Sequence, residues 1–510
     1  MANYKLHRFA FYAVLLFMLY LAAPLFAQAD LLGHASGQSG VFPLTTKSPE
    51  ARSLVETALK LYLDEVEQTE AIEILRTAVK LDPDFAMGHE FLAQISLDSA
   101  EQVNEQARAF TTRKHATVPE QQVIEWYQAA ADHDVMSAIT KMNAVLSQYP
   151  HDEWVVWMTT WWLMTQDQFQ RSIEIYERSG ITDSPGLMNN MGYNYASIRQ
   201  FDKAFDMMEK YVAAMPHNSN PQDSYAEILR MAGHYNQSVE HYKASLAINP
   251  NFYSSQFGLA DTYSLMGDQA RARQEYEIGF TKFTLPEQHW TMWKSREALT
   301  YLREGDYPGA DRAFQAIADQ EHARHSSQIE ADTYRQMAMY QQQPHRAMMY
   351  LRKAELATRQ AKNSLHSAIT QESAQILRAK IELAIRMNDK QTMQAALDTL
   401  SAMAENSNDQ LIELAWHGAA GAAFYAEHQY AEAIPHLEED VNNPLSLRLL
   451  ASAYQKTADN DSARRAADTL MNLNDVSLEQ ALVVPAFRKC SADPNCNAGM
   501  KNASFSTNHP

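Results

Sequence analysis

The chain has 510 residues, of which 46% are hydrophobic and 21% charged, and its formal charge is −19. Sixteen glycines and eighteen prolines fall short of average usage, about 7% and 5%, and are too few for an all-β fold, a collagen-like chain or a low-complexity chain. Two cysteines in this length exclude a disulfide-built mini-fold, and the acidic surplus opposes binding to DNA, RNA or anionic lipid.

Residues 1–8 (MANYKLHR) are basic, residues 9–26 form an apolar run interrupted by Pro24, and Ala27-Gln28-Ala29 supplies a small-x-small pattern. This order predicts a secretory signal peptide over 1–29, cleaved after Ala29. An uncut signal anchor is the alternative, because 18 apolar residues stand at the lower limit for spanning a bilayer. No cysteine lies near the cleavage point, which argues against a bacterial lipoprotein, and no second long apolar run follows. The mature chain is therefore expected to be soluble and exported, to a periplasm or the medium. Residues 30–50 mix Gly, Ser, Thr and Pro without helical period and are expected to form a flexible leader.

The body of the chain repeats itself. Pro83, Pro150, Pro216 and Pro250 each follow a helical stretch. Twelve residues before them stand Ala71, Ala138, Ala204 and Ser238; eight before, Leu75, Met142, Met208 and Tyr242; ten after, Ala93, Thr160, Ala226 and Ala260. Gly233 and Gly267 are 34 residues apart, as are Tyr242 and Tyr276. Small residues let two antiparallel helices approach, and the large residue one turn on fills the groove beside that contact. Gly ends one helix and Pro the next. A single pair cannot bury its apolar faces, but stacked pairs can.

Three consecutive units carry the pattern best: Met191-Gly192-x-x-Tyr195 with Phe201, Ala204 and Pro216; Tyr225-Ala226 with Gly233, Tyr235, Tyr242 and Pro250; and Leu259-Ala260-x-x-Tyr263 with Gly267, Ala272 and Tyr276. The chain thereby resembles the tetratricopeptide repeat (TPR) family. The resemblance implies an all-α, right-handed solenoid superhelix of stacked antiparallel helix pairs, roughly ten or eleven of them over residues 51–475. An N-terminal array over 51–286 and a more degenerate one over 287–475 are expected, then a C-terminal cap and tail over 476–510. Residues 86–118 lose the small residue of their second helix, where Glu105 stands, and residues 325–405 hold degenerate repeats at best.

In this family the first helix of each pair lines the concave side. Residues three before and one after each small contact residue lie off the packing stripe. They are Trp157 and Trp161, Asn189 and Tyr193, Asp223 and Glu227, Phe257 and Asp261, and Trp154 lies one turn before Trp157. This predicts a groove running from an aromatic end to an acidic one. Two readings of the tryptophans stand open: a stacking platform, or rings packed in the core. The acidic residues are either groove contacts or a solvated helix face.

Signatures of catalysis are missing from the sequence. His89-Glu90 lacks the second His of a metalloprotease motif, and no Walker loop, dinucleotide fingerprint, serine elbow or haem-attachment site occurs. No cofactor and no metal site is expected; His322 and His325 read as surface residues, and the scattered methionines as core filler. Cys490 and Cys496 are expected to form a small disulfide staple. The resemblance implies an exported non-catalytic scaffold that holds a protein or peptide partner in its groove. Carbohydrate capture on the aromatic face is the alternative.

Overall fold

The computed structural model describes residues 40–492, apart from 66 and 363. The expected signal peptide of residues 1–29, Cys496 and the tail lie outside the described residues. Twenty-five α-helices follow one another, with no strand among the described residues. The first four pairs are α1 (Pro49–Lys60) with α2 (Gln68–Leu81), α3 (Ala86–Ile95) with α4 (Ser99–Thr112), α5 (Val118–Ala131) with α6 (Val135–Gln148), and α7 (Glu153–Thr165) with α8 (Phe169–Ser179). Next come α9 (Pro185–Ser197) with α10 (Phe201–Ala214), α11 (Asn220–Met231) with α12 (Tyr235–Ile248), α13 (Tyr253–Met266) with α14 (Gln269–Lys282), and α15 (Glu287–Glu304) with α16 (Tyr307–Ala323). The last pairs are α17 (Ser327–Tyr340) with α18 (Pro344–Gln360), α19 (His366–Arg386) with α20 (Lys390–Ser407), α21 (Gln410–Ala426) with α22 (Tyr430–Glu439), and α23 (Pro444–Lys456) with α24 (Asn460–Met471). A closing helix, α25 (Leu478–Ala492), docks against α15 and α23.

Twelve pairs stand where ten or eleven were expected. The difference arises in residues 327–407, which form two regular hairpins from helices of 14 to 21 residues. There, longer helices and Ala-rich seams replace the spacing that marks the earlier repeats.

Small contact residues set the spacing between helices. Ala71, Ala138, Ala204, Ser238, Thr160, Ala226 and Ala260 have no exposed surface, and Leu75, Met142, Met208 and Tyr242 are buried beside them. At Gly192 a Cβ would fall 2.2 Å from the Met208 Cε, and at Gly258 it would fall 2.4 Å from the Tyr242 ring. Where the second pair lacks its small residue, Glu105 accepts a 2.5 Å hydrogen bond from the buried His89 Nδ1 instead, so a polar pair replaces the apolar seam.

The turns inside the pairs share one device. A residue with left-handed backbone ends the first helix, and the next N–H bonds a carbonyl five residues back: His234 to Leu229, Asp268 to Tyr263, Gln200 to Tyr195, Asp459 to Tyr454. Gly233 and Gly267 hold this position without cost, but Arg199, His133, Asp167, His428 and Ala458 also hold it, at φ 56 to 65°. The repeated hydrogen bond offsets the roughly 1–2 kcal/mol that a side chain costs there.

First helices of neighbouring pairs touch (α7 on α9, α9 on α11, α11 on α13), whereas the second helices make no comparable contact. The outer layer is therefore splayed and the inner layer concave. The winding brings distant parts together: α19 lies on α5, the His133 Nε2 and Asp409 Oδ2 stand 2.9 Å apart, and Asn474 donates to the Met231 carbonyl and accepts from the Tyr235 hydroxyl.

The expected flexible leader is corrected over residues 42–47, which run as a docked strap. Phe42 and Leu44 are 3% and 4% exposed. The Phe42 N–H donates to Asp152 at 2.8 Å, the Thr45 N–H and hydroxyl donate to Glu120, and Thr46 and Lys47 donate to Asp82. Asp152 and Glu120 stand at the starts of α7 and α5, and Asp82 closes α2 just ahead of α3, so the strap ties three hairpins together. The polar composition concealed two apolar anchors in it.

Two substitutions test this account. Gly258→Ala is expected to lower stability by about 1–3 kcal/mol, because the Tyr242 ring must move. Ala458→Gly is expected to raise it by about 1 kcal/mol by relieving the left-handed position. Urea or thermal unfolding followed by circular dichroism measures both.

Candidate functional site: a concave cavity

The inner layer encloses a cavity of about 580 Å³ lined by residues of α7, α9, α11, α13 and α15. One wall is the π-helical turn Leu61–Glu65 that continues α1, where Tyr62 and Leu63 face the cavity. The Gly186 N–H donates to the Asp64 carboxylate at 3.2 Å and the Tyr211 hydroxyl to the Asp64 carbonyl at 2.6 Å, which fixes this wall against α9 and α10. A Cβ at Gly186 would sit 2.7 Å from the Leu63 carbonyl; glycine is what lets the wall come this close.

Seven of the sequence-predicted residues converge here. Trp157, Trp161, Asn189, Tyr193, Asp223 and Glu227 line the cavity, and Asp261 lies on its floor with them. Trp157 and Trp161 stack in parallel, with centroids 5.3 Å apart and planes within 8°, and Tyr62 meets Trp157 edge-on at 5.7 Å. Trp161 is 36% exposed and Trp157 9%, so the pair is both seam and surface. Trp162, one position on, turns into the core and meets Trp126 edge-on.

Two expectations are corrected. Phe257 has no exposed surface: its ring lies over Gly279 and stacks on Trp293 at 4.9 Å, drawn into the seam by the room that Gly279 leaves. Trp154 packs half-buried against the N-terminal core rather than lining the cavity, because it sits at the start of α7, nearer the strap.

The acidic residues are not a solvated face. The Tyr193 hydroxyl donates to Glu227 at 3.0 Å, and the Arg230 Nη2 donates to its other oxygen at 2.5 Å. Asp261 has no exposed surface and accepts from the Tyr276 hydroxyl and, at 2.7 Å, from the Arg296 Nη1. Asp223 is 8% exposed and accepts from the Ser255 hydroxyl at 2.6 Å. Burial favours the neutral carboxyl of Asp223, and neighbouring Glu227 adds to it; together they outweigh Ser255 and Arg230 and push the group up to about 7. Burial opposes ionisation of Glu227 too, but Arg230 and Arg296 prevail and hold it below the usual range. Burial raises the hydroxyls of Tyr193 and Tyr242 well above the ordinary tyrosine value.

Sequence reasoning missed Arg230 and Arg296. Arg230 stands three and seven residues after Glu227 and Asp223, so helical spacing places all three on one face. Arg230 is 3% exposed and its charge is drawn to Tyr242 and Glu227, yet its Nε and Nη1 have no hydrogen-bond partner within bonding geometry, and neither has the buried Oδ1 of Asn189. Buried polar atoms of this kind call for a partner, which ordered water or a guest can supply. Cys490 lies in α25, at the far end of the chain. Among the described residues no cluster of three or more His, Cys, Asp or Glu is placed to hold a metal ion, and no helix is long and apolar enough to cross a membrane.

The stacked hairpins with their small-residue seams make this a TPR-like helical-repeat protein. No protein-family model matches the chain, and no curated protein does. Among solved structures it is similar to a tetratricopeptide repeat protein from Parabacteroides merdae, at 14% identity, over 60% of this chain and 100% of that one, with a TM-score of 0.35. Cut9 in the Cut9–Hcn1 hetero-tetramer of APC/C overlaps at 13% identity, 82% and 76% coverage and a TM-score of 0.38. The yeast protein Tom70 overlaps at 13%, 88% and 98%, with a TM-score of 0.36. Overlaps this loose carry no argument about what the cavity holds.

The Asp223 carboxyl supplies a test. Its folded-state value stands above the ordinary 3.8, so the folded chain keeps a proton that the unfolded chain loses, and stability falls as pH rises through that window. Asp223→Asn removes this component while keeping an acceptor for Ser255. Relative to the variant, the wild type is expected to lose about 1 kcal/mol per pH unit between about pH 5 and 6.5, as measured by urea unfolding across pH.

Proposed function

We propose that this chain is an exported, non-catalytic scaffold that holds a segment of a partner protein in its concave cavity. The observation that carries the reading is the meeting of five successive first helices around one concave space, with Arg230 and Asn189 presenting buried polar atoms to it that lack a hydrogen-bond partner. Its volume falls in the range of sites that enclose a small molecule or a few residues, about 300–1,000 Å³. Export rests on the basic, apolar and small-x-small order of residues 1–29.

The non-catalytic part of the reading is supported by how the carboxylates are engaged. Both oxygens of Glu227 and both of Asp261 are held by Tyr193, Arg230, Tyr276 and Arg296, which leaves them fixed as structural charges. No cofactor enters this reading. A carbohydrate guest is the second reading; the exposed face of the parallel Trp157–Trp161 pair favours it, because flat indoles stack against sugar rings.

Trp161→Ala is expected to weaken partner capture by about tenfold or more with little change in melting temperature. Trp162→Ala, which empties a core site, is expected to cost about 3–5 kcal/mol of stability. The measurement pairs capture from an envelope or medium fraction, read by mass spectrometry, with thermal melts of each variant. A Trp161→Ala protein that melts early yet keeps every captured partner would place the ring in the core and remove the reading.

A further inference from the structure

The cavity walls carry unequal charge. Glu67, Asp223, Glu227 and Asp261 contribute four carboxylates, and Arg230 and Arg296 contribute two guanidinium groups, with no lysine in the lining. Arg296 is taken up by Asp261, and one Arg230 nitrogen by Glu227. Asp223 has the Ser255 hydroxyl as its hydrogen-bond donor and no ion-pair partner of its own; Arg230 favours its ionised form but makes its ion pair with Glu227. Buried charge without a counter-charge is costly, and such a site is satisfied by a guest that brings the missing cation.

Two further observations point to a guest, independently of the charge count. The Asn189 Oδ1 is buried without a donor, and the Nε and Nη1 of Arg230, itself 3% exposed, are buried without an acceptor. A guest that meets both offers N–H donors and a carbonyl oxygen together. The stacked Trp157–Trp161 pair gives an aromatic wall on which an aliphatic stem or a cationic head is stabilised. A peptide segment bearing a basic side chain supplies all of these: the cation for Asp223, backbone N–H for Asn189, backbone carbonyl for Arg230 and a stem for the indoles. An acidic segment would add to the surplus of carboxylates.

We propose that the partner segment inserts a lysine or arginine side chain into this cavity, with its charged head at Asp223 and its backbone between Asn189 and Arg230. The inference rests on the peptide reading of the same cavity and names the chemistry of the peptide. The groups facing Asp223 are Glu227 and Arg230 on its own helix, Tyr193 on α9, Tyr242 on α12, and Ser255 on α13. The tyrosines stay neutral, and Glu227 stays ionised, so Asp223 is the group whose charge changes near neutrality. In the empty cavity a proton takes the cation's place, and a basic guest displaces it.

The experiment titrates the full mature chain with blocked tripeptides, acetyl-Ala-X-Ala-amide with X as Lys, Arg, norleucine or Glu, followed by tryptophan fluorescence and calorimetry. The Lys and Arg peptides are expected to bind at least about tenfold more tightly than the norleucine peptide, and the Glu peptide more weakly still. Asp223→Asn, checked for folding by its melt, is expected to remove most of that preference. Between pH 6 and pH 8 the wild-type affinity for the Lys peptide is expected to rise about tenfold, following ionisation of Asp223, with the norleucine peptide unmoved. Equal binding of Lys and norleucine peptides, or preference for Glu, overturns the inference and leaves the peptide reading standing. Failure of every peptide alongside a saturable response to cello- or chito-oligosaccharides removes the peptide reading itself, and this inference with it. Silence toward all of these probes removes both.

Discussion

The close approach of paired helices at small residues is the constraint on which everything else depends. Ala71, Ala138, Ala204 and Ser238 on second helices and Thr160, Ala226 and Ala260 on first helices are all without exposed surface. Distance between backbones sets how far the large residues Met142, Met208 and Tyr242 can reach. That reach sets the tilt from one pair to the next, and repeated tilt gives the concave layer. Because first helices touch one another and second helices do not, the inward face is dense. Side chains three before and one after the seam are directed into the shared space, except Phe257, which Gly279 admits into the seam.

This explains why much of the fold was legible in the sequence and why legibility faded toward the C-terminus. In residues 186–282 the seam, the groove filler and the turn glycine all fall on a 34-residue interval. Beyond residue 327 the same hairpins persist, but their helices lengthen to as many as 21 residues and the interval breaks. Turn glycines are a partial guide, since His428, Arg199 and Ala458 occupy the same left-handed position once the five-residue hydrogen bond supports it. The seam is a local steric requirement, whereas the interval is a byproduct of helix length.

The candidate site was legible in its outline and wrong in two rings, Phe257 and Trp154. The rule that placed Trp157, Trp161, Asn189, Tyr193, Asp223, Glu227 and Asp261 around one space follows from helix geometry alone. It failed at Phe257 because Gly279 on the next helix opens a slot that no spacing rule encodes. The pairing of carboxylates with Arg230 and Arg296 was not legible for a related reason: Arg296 comes from α15, a helix whose register the earlier prolines do not set. Electrostatic partners across a superhelix are set by how the layers stack, which is a property of the whole array.

Residues 42–47 bear on how such an array changes over time. Solenoids are usually modular, since each unit contacts its neighbours and little else. Here one extended segment holds the closing end of α2 and the leading ends of α5 and α7 through Asp82, Glu120 and Asp152. A unit inserted or lost among these three would throw the segment out of step with its acceptors. At this end the molecule behaves as a single heritable block, and gain or loss of modules is confined to stretches the segment does not cross.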